Sequence, residues 1–225
     1  MTKNRDETDS YWSEMRQDMA SKYQYYVYEK AYKVAKKYNA KKILDIGCGF
    51  PYKIKHFFGK DESFEITLID QPENEKIILD FFPNASFISL NLDLPLTPLT
   101  EKYDIIICAD VIEHLCKPEY LLEFILSILA DGDNSFAFIS TPERTRLYGE
   151  GILSSGHPEH VREWALTEFI GFVSNNAFRV IDFSLLPTKR LPFFEEKVYY
   201  SCANKIQRNC WQESIMLQCK KVNKE

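Results

Sequence analysis

The stretch Lys42-Ile43-Leu44-Asp45-Ile46-Gly47-Cys48-Gly49 constrains the fold more than any other part of the chain. Ile43, Leu44 and Ile46 flank a single acid, the pattern of a short strand covered on both faces. Gly47 and Gly49 then allow a tight turn and a close approach of backbone to a ligand. Pro51 opens a segment with Ile54, Phe57 and Phe58 at helical spacing, and Gly59 closes it. Strand, glycine turn and helix make the first unit of a nucleotide-binding α/β domain.

The rest of the chain alternates in the same way. Strands are expected at 65–70, 87–90, 103–109, 136–140, 178–186 and 212–221. Helices are expected at 23–38, 73–82 and 118–129, with another starting at a Thr167 cap and ending at Asn175-Asn176. Val27, Ala31, Val34, Ala35 and Tyr38 form one stripe on the first of these, with Asn39 as its cap. The neighbouring tyrosines, Tyr23, Tyr25, Tyr26 and Tyr28, are expected mostly to pack. Residues 1–22 read as a polar arm or a helix over the site. Residues 141–163 read as one long polar loop, and a helix near 195–206 is open. Alternating strands and helices imply a mostly parallel sheet, and a final hairpin would add an antiparallel strand.

A length of 225 residues suits one elaborated domain. Hydrophobic residues at 45% and charged residues at 27% are an ordinary soluble balance. No apolar run is long enough for a membrane span, and the first residues lack a secretory signal. Cys48, Cys108, Cys116, Cys202, Cys210 and Cys219 contain no Cys-x-x-Cys pair, so reduced thiols and a cytoplasmic location are expected. The net charge of −5 argues against nucleic acid as the partner. Lys36, Lys37, Lys41 and Lys42 read as a solvated face.

Asp70 ends the second strand, twenty-one residues beyond Gly49, where an acid can accept both hydroxyls of an adenosine ribose. A dinucleotide site needs a third glycine at the position of Tyr52, and no phosphate-loop lysine follows. The ligand is therefore expected to be an adenosine compound without pyrophosphate, and a nicotinamide oxidoreductase is disfavoured.

Residues 43–49, 66–70, 91–95 and 104–115 together resemble the successive motifs of class I S-adenosylmethionine-dependent methyltransferases. The resemblance covers about residues 40–185. It implies a Rossmann-like, doubly wound, mostly parallel seven-stranded sheet of order 3-2-1-4-5-7-6, with helices on both faces. It implies S-adenosylmethionine as cofactor. The methionine end would lie at Asp45, Gly47, Cys48 and Gly49, the ribose at Asp70, the adenine beside Asn91 and Leu92, and the pocket floor at Ala109 and Asp110. Two departures are Pro51 in place of a glycine and Asn91 in place of a common acid.

Asp110, Glu113 and His114 leave the end of the central strand, and His160 follows in His157-Pro158-Glu159-His160-Val161-Arg162-Glu163-Trp164. A hydroxyl acceptor needs its proton removed, and a neutral histidine suits that task. His114 is the first candidate base, His160 the second, with Glu113 beside them. The spacing also resembles the metal site of small-RNA 3′-end 2′-O-methyltransferases, which implies a divalent ion held by Asp110, Glu113, His114 and His160. The alternative is that this element only shapes a loop. Ser140, Thr141, Arg144 and Arg146 offer a receptor for an acceptor's phosphate or carboxylate, or are surface groups. His56 reads as a packing residue.

The expected organisation is an N-terminal helical lid at 1–40 and a cofactor-binding domain at 41–225. The expected activity is methyl transfer to a hydroxyl of a small molecule or sugar, as in bacterial surface-polysaccharide or secondary metabolism. A metal-dependent RNA 2′-O-methyltransferase and a non-catalytic cofactor-binding regulator are the rivals. Oligomeric state stays open.

Overall fold

A computed structural model describes residues 14–153, 155–192, 194–197 and 212–222. Helices α1 (Glu14–Lys22) and α2 (Tyr25–Tyr38) precede β1 (Lys42–Ile46), α3 (Tyr52–Phe57) and β2 (Glu65–Asp70). Then come α4 (Glu75–Phe81), β3 (Ser86–Ser89), β4 (Ile105–Ala109), α5 (Pro118–Ile128) and β5 (Phe136–Pro142). The chain closes with α6 (Arg144–Tyr148), α7 (Leu166–Asn175), β6 (Phe178–Leu186) and β7 (Ser214–Lys221). Short 3₁₀ turns occupy Pro72–Asn74 and Ile112–His114.

The seven strands form one sheet of order β3-β2-β1-β4-β5-β7-β6, as expected. The first five pair in parallel, and β7 lies antiparallel between β5 and β6. The central strands are apolar on both sides, and their alternation divides the core in two. Ile43, Ile105, Ile107, Phe136 and Phe138 face one cluster with α2, α3 and α4. Leu44, Ile46, Ile106, Cys108, Ala137 and Ile139 face the other with α5 and α7. Such strands can sit only inside a sheet covered on both faces.

The stripe on α2 is buried through Val27, Ala31 and Ala35, and Asn39 caps the helix in a left-handed conformation with its N–H on Ala35 O. Tyr25, Tyr26 and Tyr28 are buried as well. His56 packs against Tyr25, Tyr52 and Phe57. Lys36 and Lys42 meet Asp61 and Glu101 at the exposed surface.

Three local expectations change. The 141–163 segment is not one loop: β5 runs to Pro142 and α6 follows, because the Glu143 side chain caps Arg146 N–H at 2.6 Å. Thr167 does not cap α7, whose cap residue is Ala165. Ala165 has no side-chain acceptor. Its N–H is taken by Glu168 at 2.9 Å, and the N–H of Leu166 by Glu143 at 3.0 Å. The helix expected at 73–82 opens as a 3₁₀ turn, where Pro72 fixes the first residue. The possible helix near 195–206, together with Cys202 and Cys210, falls largely outside the described residues. Cys48, Cys108, Cys116 and Cys219 are free thiols. No described helix is long and apolar enough to cross a membrane.

Candidate functional site

The glycine turn leaves β1 between the ends of β2 and β4. Gly47 and Gly49 both take left-handed backbone, with φ of +66° and +53°. The N–H groups of Gly47 and Cys48 donate to Ile69 O at 2.8 and 3.2 Å. A Cβ on Gly47 would stand 2.5 Å from Val111 Cγ2, so the β4 loop closes down on the turn. Gly49 N–H donates to Asp70 Oδ2 at 2.7 Å. The other oxygen of Asp70 accepts from Gln71 N–H at 2.8 Å and from Asn74 Nδ2 at 2.7 Å.

These groups open onto a cleft of about 930 Å³ at the carboxyl edge of the sheet. Gly47, Gly49, Asp70, Asn91, Leu92 and Asp110 line it, and His114 and Glu159 stand on its wall as well. Open α/β sheets place their ligands at this edge. Asp45, Cys48 and Ala109 do not line the cleft. Asp45 supports the turn from behind, with the Tyr28 hydroxyl 3.0 Å from both carboxylate oxygens. Burial pushes its carboxyl up to about 7, opposed by Lys53 and the Tyr28 hydrogen bond. Lys53 is buried too and donates to Ala20 O at 2.8 Å, which ties α1 to α3. Burial pulls its ammonium down, against the pull of Asp45 and Asp110.

Asp110 also has left-handed backbone, φ +53°. Its carboxylate accepts from Ser140 Oγ at 2.5 Å and from Gln24 Nε2 at 3.1 Å. Burial raises this carboxyl, and the two hydrogen bonds oppose the rise. Asp110 is thus bound to β5 and to the start of α2.

Glu113 and His114 sit on the 3₁₀ turn that follows. Glu113 is fully buried, and neither carboxylate oxygen has a hydrogen-bond partner among the described residues. Burial, and next the charge of Asp110, push its carboxyl well above the usual range. Thr141 partly offsets the rise, yet its Oγ1 meets no partner in hydrogen-bond geometry among the described residues. Val161 and Arg162 N–H donate to Glu113 O at 2.9 and 3.3 Å, which folds the α6–α7 loop onto the turn. That loop brings His160 to His114, with ring centroids 4.7 Å apart and nearly perpendicular. His157 also stacks on His160, with ring centroids 4.2 Å apart.

Each imidazole is held through Nδ1. His114 Nδ1 lies 2.9 Å from Glu159 O, an oxygen that can only accept, so the hydrogen is on Nδ1 and Nε2 carries the lone pair. His160 Nδ1 lies 2.5 Å from Glu163 Oε1. Burial holds the His160 imidazole below its ordinary value, while Glu163 pulls the other way. One ligand atom each from Glu113, His114 and His160 lie within 4.8 Å of one another. A carboxylate and two neutral imidazoles suit a divalent transition ion with open positions. Asp110, expected as a fourth ligand, is not in this group; its oxygens accept from Ser140 and Gln24.

The Ser140–Arg146 stretch is not a free anion receptor. Ser140 serves Asp110, and Arg144 is buried, donating to Glu163 O and Glu168 Oε1 at 2.8 Å each. Arg146 reaches Gln212 at 3.3 Å. Sequence reading passed over Gln24, His157 and Glu163. Of these, Glu163 had a local signal, an acid three residues after a candidate histidine.

Sheet order and family model together place the chain in the class I S-adenosylmethionine-dependent methyltransferase fold. The chain belongs to the family described as a methyltransferase domain, whose model matches residues 11–190. No curated protein matches the sequence. Among solved structures, the plantazolicin methyltransferase BamL, in complex with a triazolic desmethylPZN analog and SAH, is 17% identical with a TM-score of 0.64, covering 93% of this chain and 87% of that one. The methyltransferase domain of bacterial CtHen1 is 20% identical with a TM-score of 0.60, covering 88% and 98%. An O-methyltransferase from a trans-AT polyketide synthase multienzyme of Brevibacillus brevis, in complex with S-adenosyl-L-homocysteine, is 13% identical with a TM-score of 0.60, covering 88% and 72%. At these identities the shared feature is the fold.

Proposed function

We propose that the protein binds S-adenosylmethionine and transfers its methyl group to a hydroxyl oxygen of a small molecule or sugar. One observation carries the reading: a single cleft has the glycine turn and Asp70 on one side and His114 on another. When bound, the cofactor supplies an electrophilic methyl group on a sulfonium. Asp70 accepts the ribose hydroxyls, the Gly47–Gly49 backbone holds the amino-acid end, and Asn91 and Leu92 flank the adenine. The main task of the protein is then alignment of the acceptor oxygen with the methyl carbon. The Nε2 lone pair of His114, or of His160, takes the acceptor proton. Helix α1 and the Gln24 turn act as the lid, a reading supported by the hydrogen bond from Gln24 to Asp110, while α2 packs in the core.

A second reading is favoured by Glu113. A buried carboxylate without a partner is costly, and a cation between Glu113, His114 and His160 would satisfy it. These three residues would hold a divalent ion that supplies Lewis-acid activation of a hydroxyl or a vicinal pair. Such a site is compatible with a sugar diol or with the terminal diol of an RNA. The net charge of −5 favours the small acceptor.

Calorimetry with S-adenosylhomocysteine tests the cofactor site, and absence of binding would overturn the whole assignment. Labelled methyl transfer to sugars, catechols and a 3′-diol RNA, with EDTA or added Mn²⁺, then tests the acceptor class. Activity lost in EDTA and restored by Mn²⁺ selects the ion reading. Transfer to RNA alone would replace the small-molecule acceptor. Cofactor binding with no transfer to any acceptor is the result expected of a regulatory protein.

A further inference from the structure

We propose that Glu163 is the positioning residue of this site: its carboxylate fixes His160 with hydrogen on Nδ1, leaving Nε2 as the lone-pair atom offered to Glu113 and His114. The proposal rests on reading those three residues as the reacting centre.

Glu163 lies outside the group of ligand atoms, yet it is built into the protein as few surface acids are. Its side chain is fully buried. Oε1 alone receives His160 Nδ1 at 2.5 Å, Ser155 Oγ at 3.0 Å and Tyr148 hydroxyl at 3.3 Å. Oε2 has no partner. The Ser155 and Tyr148 hydroxyls both donate to Oε1, so this oxygen is an acceptor. The hydrogen of the shortest of these contacts therefore belongs to His160 Nδ1.

The same carboxylate ties down the α6–α7 loop. Tyr148 ends α6, Ser155 lies midway along the loop, and His160 approaches its end. Arg144 donates to the carbonyl of Glu163 at 2.8 Å, so the main chain is anchored as well as the side chain. The other imidazole of the centre is oriented by a backbone oxygen, Glu159 O, which no substitution removes. Among the described residues, Glu163 is the side chain that hydrogen-bonds an imidazole nitrogen of the pair. Carboxylate–histidine pairs of this kind set the tautomer and orientation of metal-binding or basic imidazoles, and their loss typically weakens metal affinity about 10–100-fold.

Long-range ¹H–¹⁵N spectra of the full chain read the tautomer directly. The wild-type protein is expected to carry hydrogen on His160 Nδ1. In Glu163→Met, of similar length but without the acceptor, the signal is expected to move toward the Nε2–H form, and Mn²⁺ affinity by calorimetry to fall about 10–100-fold. Affinity for S-adenosylhomocysteine is expected to hold, which reports that the variant is folded. An Nε2–H signal in the wild type would overturn the proposal, and so would an unchanged tautomer in the folded variant. If the wild type takes up no Mn²⁺, the ion reading fails and the tautomer still decides the role of Glu163. If the variant does not fold, the wild-type spectrum decides alone.

Discussion

The backbone N–H of Gly49 donates to Oδ2 of Asp70 at 2.7 Å, so the turn after β1 and the acid at the end of β2 form one unit. Asp70→Ala removes both the proposed ribose acceptor and the brace of the turn. Affinity for S-adenosylhomocysteine is expected to fall by about 1–3 kcal/mol, the range for hydrogen bonds to a charged group. Calorimetry showing unchanged affinity would remove Asp70 from the cofactor site.

Gly47 has φ of +66° and almost no room beside Val111 Cγ2. Gly47→Ala is expected to destabilise the fold by about 1–3 kcal/mol through backbone strain, with steric conflict added. The double variant Gly47→Ala/Val111→Ala should recover the steric part and retain the conformational part. Urea denaturation of the four proteins of this cycle separates the two. Equal losses with and without Val111 would show that the close approach carries no cost.

His114 stands on the cleft wall with Nδ1 already committed to Glu159 O. His114→Ala is expected to lower turnover about 10²–10⁴-fold and leave cofactor affinity intact. The separation of the two effects is the test. A variant with full turnover removes His114 from the chemistry, and one that no longer binds cofactor places it in the wrong subsite.

Asp45 contributes to stability in a defined pH window. Its folded-state value, raised by burial from 3.8 to about 7, means that the folded protein holds the proton more tightly than the unfolded chain. The contribution is therefore fully present below about 4 and is lost as pH rises toward about 7. Asp45→Asn lacks this group, so wild-type stability minus variant stability should decrease across pH 4–7 and level off above it. Denaturant titrations at four pH values measure the difference. A difference that rises with pH would mean that the carboxylate is stabilised by Lys53 and Tyr28 beyond the cost of its burial.

Much of the fold was legible because the central strands are apolar on both faces. Ile105, Ile106, Ile107 and Cys108 leave no choice but the middle of a sheet. The short α6 was not legible, since the five residues of Arg144–Tyr148 are too few to show a period. The start of α7 was misread because its donors are satisfied from a distance: Glu143 serves Leu166 across twenty-three residues. Within the candidate site, Glu113, His114 and His160 were singled out from residue type and a family resemblance, and the fold places them side by side. The environment of Asp110 could not be read the same way. Its partners Gln24 and Ser140 stand 86 residues before it and 30 after, and only the topology of the sheet makes them neighbours.

The antiparallel β7 lies between two strands that precede it in the chain, and this has a consequence for biosynthesis. When the nascent polypeptide has been translated as far as Leu186, β5 has a vacant flank and β6 has nothing to pair with. Neither can complete its ladder until Ser214–Lys221 emerges and threads into the gap. A ribosome stalled in between would present an open sheet margin with the apolar residues of β5 beside it, a natural substrate for a holdase chaperone.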